Sequence, residues 1–272
     1  MTDDVLLEKK GRVGYIVLNR PEKHNSMNQE VIEGVKEAIK KHNEDDSVKV
    51  IVLRGNGKSF GAGYDLSPGV WPFTTIEGWR KSGENANAMG VGIWESRKIV
   101  IASVHGYCLA GAFDLTLCCD ITIAADNAVF QQPDLEFGSH PAFLIMPYIV
   151  PIKDAKYMFF TGEKIDAVEA KRMHIINKIV PADKLEEETY KLANRISRIA
   201  SPSMEMMKMS INKSVELAGF RNLLYISSNS FASGKMQLTE QSKHFFEISE
   251  KEGMRAAIKW REKMFVDEEE KF

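Results

Sequence analysis

Two acidic residues in apolar surroundings are the first candidates for chemistry in this sequence. Asp114 follows Phe113 and precedes Leu115 in a segment that is apolar on nearly every face, and Asp134 ends the sequence QQPD. A buried carboxylate is unfavourable unless it has a partner or a catalytic use. Asp114 has an alternative role in stabilising the first turn of a helix, and Asp134 in shaping a turn after proline. Residue type alone leaves both alternatives open.

Two turns that contain glycine supply candidate backbone donors for an anion. The apolar pattern of residues 99–104 predicts a short buried strand. The small residues of HGYCLAGA then predict a tight turn into a helix near Gly111. The free N–H groups of a first helical turn suit a developing anion. The glycine-rich loop RGNGKSFGAGYDL can direct further amides toward a ligand. The N–H groups near Gly111 and Tyr64 are therefore candidates for a two-donor oxyanion hole.

The same glycine-rich loop has two other motif interpretations. A phosphate-binding Walker loop needs glycine where Val52 stands inside a predicted strand, so a nucleotide site is rejected. GKSFG matches the nucleophile-elbow pattern around Ser59 and follows a strand, but an elbow leads directly into a helix. The segment AGYDLSPGVWP cannot form that helix, which argues against Ser59 as a nucleophile.

Hydrophobic patterning places these loops in a chain whose strands and helices alternate. A hairpin of residues 5–9 and 13–19, a helix over 27–43 with a capping box of Ser26 and Gln29, and a buried strand over 48–53 form the opening. A helix over 75–95, strands in CCDITIA and AVFQQPD, and an apolar turn and helix after FGSHP follow. The pattern predicts an α/β fold.

The last third of the chain changes to helical patterning. Helices are predicted over 167–173, 183–200 and 203–218, with two or three more to the end and one short strand in NKIV. We expect residues 1–200 to form the α/β core that holds the site, and residues 201–272 to form a helical oligomerisation region. The methionines of SMEMMKMSINK recur at helical spacing, which favours a subunit interface over a cofactor site.

Composition and charge argue against several classes of function. The chain has 272 residues, 44% hydrophobic content and a formal net charge of −2 with dispersed basic residues, so we expect a substantial core and no binding to nucleic acid or membranes. No secretory leader or membrane span is visible, and a cytoplasmic location is expected. Cys108, Cys118 and Cys119 lack disulfide or zinc spacing, and the histidines lack ligand spacing, so no metal site is predicted.

Five motifs, in order along nearly the whole chain, resemble those of the crotonase superfamily, the enoyl-CoA hydratase and isomerase family. They are NRPEKHNSM, GKSFGAGYDL, HGYCLAGAFDLTLCCDITIAA, FQQPDLEFG and FFTGEKIDAVEAKRMHIINKIVPADKL. The resemblance implies a crotonase-like spiral core of repeated ββα turns around a small perpendicular sheet. It also implies C-terminal helices that assemble trimers, which often pair as hexamers.

The resemblance further implies a site for a coenzyme A thioester, with the thioester carbonyl oxygen accepting from the backbone N–H groups of Tyr64 and Gly111. The two catalytic glutamates of the family correspond to Asp114 and Asp134. Coenzyme A is part of the substrate, so no separate cofactor is implied. Contacts to coenzyme A or substrate are expected from the motif residues Lys23, Asn25, Ala62, Gly63, Asp65 and Leu66, and, toward a neighbouring subunit, from Lys263 and Phe265 of WREKMF.

The chain departs from the family pattern at the site itself. Both expected glutamates are aspartates, each shorter by one methylene, which moves the carboxylates back from the substrate. Gly111 lies in the sequence AGA in place of three glycines, and SHPAFLIMPYIVP replaces a glycine-rich segment at the acyl pocket. A hydratase acting on a 2-enoyl-CoA is the leading prediction. The alternatives are an enoyl-CoA isomerase, a crotonase-type hydrolase and a trimer that binds acyl-CoA without turnover.

Overall fold

The computed structural model describes residues 3–237 and 239–265 of the chain. The strands are β1 Val5–Lys10, β2 Val13–Leu18, β3 Val50–Gly55, β4 Ile99–Val104, β5 Tyr107–Leu109, β6 Ile121–Ala125, β7 Val129–Gln131, β8 Ile165–Asp166 and β9 Lys178–Val180. The helices are α1 Gln29–Glu44, α2 Ile76–Trp94, α3 Gly111–Cys118, α4 Met146–Ile149, α5 Ile152–Thr161, α6 Ala167–Arg172, α7 Leu185–Ile196, α8 Ser201–Leu217, α9 Phe220–Met236, α10 Glu240–Glu252 and α11 Met254–Lys263. Short 3₁₀ turns cover Pro21–Lys23, Asp134–Phe137 and Ala182–Lys184.

Two sheets organise the core. The six-stranded sheet has the order β1-β2-β3-β4-β6-β9 and is parallel except for the hairpin β1–β2, while the three-stranded sheet has the order β5-β7-β8. Two turns of the chain, β4–β5 and β6–β7, each add a strand to the larger sheet and then a short strand to the smaller one. The predicted α/β class and ββα spiral are confirmed. Apart from the exposed end of β1, the larger sheet is mostly buried, because α-helices cover its faces.

The start of α1 corrects the predicted capping box. Ser26 is not the cap; the Asn28 side chain accepts from Val31 N at 3.0 Å, and the helix begins at Gln29. Met27 is extended because it forms a β-bridge with the end of the glycine-rich loop, so the helix cannot begin beside Ser26. A contact distant in sequence therefore sets this helix boundary.

The central stretch also differs in one respect from the sequence prediction. The chain does not turn directly from β4 into α3; β5 intervenes, with Cys108 paired to Phe130 of β7. The turn after β5 uses Ala110 at a φ of +48°. All eight residues of α3, including Asp114, are buried, as the apolar pattern predicts.

The C-terminal helices pack on the α/β core. Phe220 and Leu224 of α9 belong to the same buried cluster as the core strands, and Phe220 packs against Trp94 of α2 with ring centroids 5.4 Å apart. In α8, the buried Lys208 forms an ion pair of 2.7 Å with the partly buried Asp120. The boundary near residue 200 stays a prediction. Within the described ranges, no helix is both long enough and apolar enough to cross a membrane.

Candidate active site

Asn25 holds the glycine-rich loop that follows β3. The side chain is 1% exposed; its Oδ1 accepts from Arg20 N at 2.8 Å, and its Nδ2 donates to the carbonyls of Asn56 and Ser59, each at 2.8 Å. These bonds occupy the polar atoms of the amide and join the two loops that flank the site. Asn25 therefore positions the loop, and a direct contact of Asn25 with coenzyme A stays a prediction.

Asp65 anchors the other end of the same loop. Its carboxylate accepts from Arg20 Nη2 and Lys23 Nζ, both at 3.1 Å, and from Ser67 N at 3.0 Å. Burial alone would raise the pKa of Asp65, but the hydrogen bonds from Ser67, Lys23 and Arg20 lower it to about 2. Lys23 and Asp65 do not line the cavity described below, so their contact with substrate also stays a prediction.

Two backbone N–H groups beside this loop have no acceptor within the described part of the chain. Met27 N donates to Gly63 O at 2.7 Å and Asp65 N donates to Met27 O at 2.8 Å, which turns the intervening Tyr64 N–H away from Met27. Gly111 is the first residue of α3, so its N–H has no acceptor inside the helix. These are the two donors that the sequence identifies.

Close approach brings the loop that carries Tyr64 against the start of α3. A Cβ built on Gly63, whose φ is +85°, would lie 2.8 Å from Ala110 Cβ and 3.5 Å from Gly111 N. A Cβ on Gly111 would overlap the Tyr64 ring and lie 2.8 Å from Met27 Cε. Glycine is therefore required at both positions by the packing of one loop on the other.

A cavity of about 740 Å³ opens beside these amides, between the core and the C-terminal helices. The helices α9, α10 and α11 supply one wall through residues such as Phe231, Phe246 and Ile258. Lys263 and Phe265 lie at the exposed end of α11, outside this lining. Predicted site residues that do line the cavity are Ala62, Tyr64, Leu66, Asp114 and Asp134.

Asp114 reaches the cavity from the first turn of α3. It is 5% exposed, and its Oδ1 accepts from Gln132 Nε2 at 3.3 Å. Burial, and then the negative charge of Asp134, raise the pKa of Asp114 well above its usual value, against the smaller effect of the Gln132 hydrogen bond. Burial of Asp114 therefore favours its protonated form.

Asp134 reaches the cavity from the turn after β7. Its Oδ2 is buried and has no hydrogen-bond partner among the described residues. Burial raises the pKa of Asp134 to about 6, although the positive charge of Lys235 acts in the opposite direction. Asp134 is therefore mostly ionised at neutral pH, and burial favours the protonated form more strongly at Asp114 than at Asp134.

The Tyr64 ring and the Lys235 ammonium complete the polar groups near the two acids. Burial, followed by the charges of Asp114 and Asp134, raises the pKa of the Tyr64 hydroxyl far above its usual value, so it remains a neutral donor. The sequence identified Tyr64 only through its backbone and did not identify Lys235 or Gln132. Little in the sequence points to Lys235 as a site residue. It is a single lysine in the last turn of α9, a helix that mixes polar and apolar residues far from the other motifs.

Comparison with known proteins decides the family. The sequence model of the enoyl-CoA hydratase/isomerase family matches residues 8–259. The chain belongs to this family. It is 30% identical over 268 residues to the crotonyl-CoA hydratase of Syntrophomonas wolfei, covering 97% of this chain and 98% of the relative. It is also 34% identical over 218 residues to the short-chain-enoyl-CoA hydratase of Clostridium acetobutylicum, covering 79% and 83% of the two chains.

A solved member of the enoyl-CoA hydratase/isomerase family has the same overall fold. The crystal structure of an enoyl-CoA hydratase/isomerase from Xanthobacter autotrophicus Py2 superposes with a TM-score of 0.92 at 30% identity, covering 98% of this chain and 100% of that one. The resemblance that the five motifs indicated is confirmed. The apolar segment that replaces the family's glycine-rich one contributes Pro141 and Ala142 to the cavity, whereas Phe143 and Ile145 are buried in the core.

Proposed function

We propose that this chain adds water across the C2–C3 double bond of a 2-enoyl-CoA, or removes it in reverse. The observation that carries the proposal is a cavity lined by Tyr64, Asp114 and Asp134, next to the start of α3, where the N–H groups of Tyr64 and Gly111 have no acceptor among the described residues and the two carboxyl groups differ in pKa. The N–H pair suits the oxygen of a thioester enolate, and the acids suit proton transfer on both sides of it. Each oxyanion donor supplies about 3 kcal/mol of transition-state stabilisation in comparable sites.

Each of the two acids carries out one of the two proton transfers. The ionised Asp134, whose Oδ2 has no hydrogen-bond partner among the described residues, accepts a proton from water as the water oxygen bonds to C3. The electron pair of the double bond moves through C2 to the thioester oxygen, which the Tyr64 and Gly111 N–H groups stabilise. Protonated Asp114 then delivers its proton to C2 and the thioester re-forms. The two neighbouring acids exchange a proton before the next turnover, and water addition is redox-neutral, so the proposal includes no cofactor.

The test is an assay for hydration of crotonyl-CoA. Hydration is measured as the loss of the absorbance of the conjugated thioester. Wild-type protein should consume crotonyl-CoA and form 3-hydroxybutyryl-CoA, identified by mass spectrometry. Free coenzyme A, detected with a thiol reagent, would identify a hydrolase instead. Conversion of a 3-enoyl-CoA to the conjugated 2-enoyl-CoA, without hydration of either compound, would identify an isomerase. Binding without any turnover would refute the enzyme proposal.

The wider coenzyme A site is also a proposal. Ala62, Gly63 and Leu66 lie in the loop that carries the Tyr64 N–H, and Ala62 and Leu66 line the cavity. The exposed Lys263 and Phe265 stand at the end of α11, where they are available to the coenzyme A of a neighbouring subunit. Alanine at either position should raise the KM for crotonyl-CoA with little change in kcat.

We also propose assembly as a trimer or a pair of trimers through the C-terminal helices. Helix α8 exposes a series of apolar side chains that a single chain leaves uncovered. They are Met206 (56% exposed), Met207 (63%), Met209 (63%), Ile211 (58%) and Leu217 (80%). Apolar surface on this scale is typical of a protein contact. Light scattering at micromolar concentration tests the assembly.

A further inference from the structure

Lys235 is a cation in the cavity that the proposed hydration does not use. It lies in the last turn of α9, with its Nζ 5.6 Å from the Trp79 ring centroid and 5.4 Å from the Phe231 ring centroid. Both rings also line the cavity. Within the described ranges, Lys235 Nζ makes no hydrogen bond and no ion pair. The rings hold the ammonium through cation–π attraction, which leaves its three N–H donors available.

Lys164 and Arg261, which also line the cavity, already have partners, whereas Arg255 lies exposed on α11. Lys164 Nζ donates to Glu262 Oε1 at 2.8 Å, and the Arg261 guanidinium stacks near Phe137 and Trp260. Lys235 differs because its charged neighbour, Asp134, interacts with it through the cavity without a direct hydrogen bond. Burial lowers the pKa of Lys235 and the charge of Asp134 opposes that effect. The ammonium therefore faces the cavity with unused donors.

The occupant of the cavity determines whether these donors are satisfied. A purely alkyl acyl chain would leave the Lys235 donors without an acceptor and would remove water from them. A carboxylate on the acyl chain would supply an anionic acceptor, which forms the strongest class of hydrogen bond to an ammonium. The Trp79 and Phe231 rings would still cover the methylenes of such a chain.

We infer that Lys235 is a specificity-determining residue that binds a carboxylate on the acyl chain, so that the preferred substrates are coenzyme A monothioesters of dicarboxylic acids. The inference rests on the proposed acyl-CoA site, since the thioester must occupy the Tyr64 and Gly111 amides for its acyl chain to reach Lys235. It extends that proposal from 2-enoyl thioesters in general to those that carry a second acidic group.

Binding of saturated thioesters tests the inference without requiring turnover. Glutaryl-CoA and adipyl-CoA are compared with 5-methylhexanoyl-CoA and 6-methylheptanoyl-CoA, in which two methyl groups replace the two carboxylate oxygens. Isothermal titration should give wild-type protein a roughly tenfold or greater preference for at least one diacid over its matched analogue. Lys235→Met should abolish that preference, mainly by weakening the binding of the diacid thioester. Lys235→Arg should retain part of the preference.

Controls separate charge recognition from folding and from hydration. Lys243→Met removes an exposed lysine that pairs with Glu240 outside the cavity and should leave the preference unchanged. Circular dichroism and thermal melting check that each variant folds. Equal affinity of wild-type protein for diacid and analogue, or equal weakening of both by Lys235→Met, would overturn the inference. Failure to hydrate any 2-enoyl-CoA would instead overturn the proposed reaction, because the binding preference does not depend on it.

Discussion

Replacing Asp134 by asparagine is expected to remove acid–base catalysis while stabilising the folded chain at alkaline pH. Burial raises the pKa of Asp134 from its ordinary 3.8 to about 6. A folded-state pKa above the unfolded value means that the folded chain favours the protonated acid. The associated stability is fully present below pH 3.8 and is lost as the pH rises through about 6.

The magnitude follows from the two pKa values. Compared with a fully protonated Asp134, ionisation of the buried carboxyl group lowers the free energy of unfolding of wild-type protein by about 3 kcal/mol at pH 8 and by about 1 kcal/mol at pH 4.5. Asparagine cannot ionise and so avoids this loss. Relative to wild type, the free energy of unfolding of Asp134→Asn should therefore rise by up to about 2 kcal/mol more at pH 8 than at pH 4.5. The figure is an upper limit, because Lys235 loses the charge of Asp134 in the variant.

Urea unfolding at the two pH values, at one fixed protein concentration, measures the stability difference. Asp183→Asn, at an exposed acid, is the matched control and should show no such pH-dependent gain. Hydration of crotonyl-CoA by Asp134→Asn should fall about a hundredfold or more. In wild-type protein, kcat/KM should rise with pH through about 6 as Asp134 ionises. A variant with full activity, or a stability change independent of pH, would refute the assignment of Asp134 as a buried base.

Three further substitutions test other parts of the site and fold. Gly111→Val should lower hydration of crotonyl-CoA at least a hundredfold, because its side chain would overlap the Tyr64 ring and displace an oxyanion donor; unchanged kcat would contradict this. Lys208→Met should destabilise the fold by about 3 kcal/mol in urea, because it removes the 2.7 Å partner of the partly buried Asp120, whereas exposed Lys213→Met should have little effect. The double variant Met206→Lys and Met209→Lys should shift a trimer toward monomer by light scattering, and an unchanged mass would place the interface elsewhere.

Local pattern in the sequence determined most strands, most helices and the family. Residues 50–53 of β3 are apolar because they are covered on both faces, and α3 is apolar on nearly every face because it is fully buried, so both could be predicted without tertiary information. The motifs around Tyr64 and Gly111 also identified the two segments that pack closely against each other beside the cavity. Glycine in those loops is a local signal, because only a residue without Cβ allows the two backbones to approach so closely.

Contacts between distant segments decided the rest. The start of α1 depends on the bridge from Met27 to Tyr64, and the motif residues Asn25 and Asp65 use their polar atoms within the protein. Lys235 enters the cavity only because α9 packs across α2, which sets it beside Trp79 and near Asp134. The pKa difference between Asp114 and Asp134 likewise has no counterpart in the sequence. It arises from burial and from the charge of one acid on the other, and both depend on how the folded chain excludes water from the cavity.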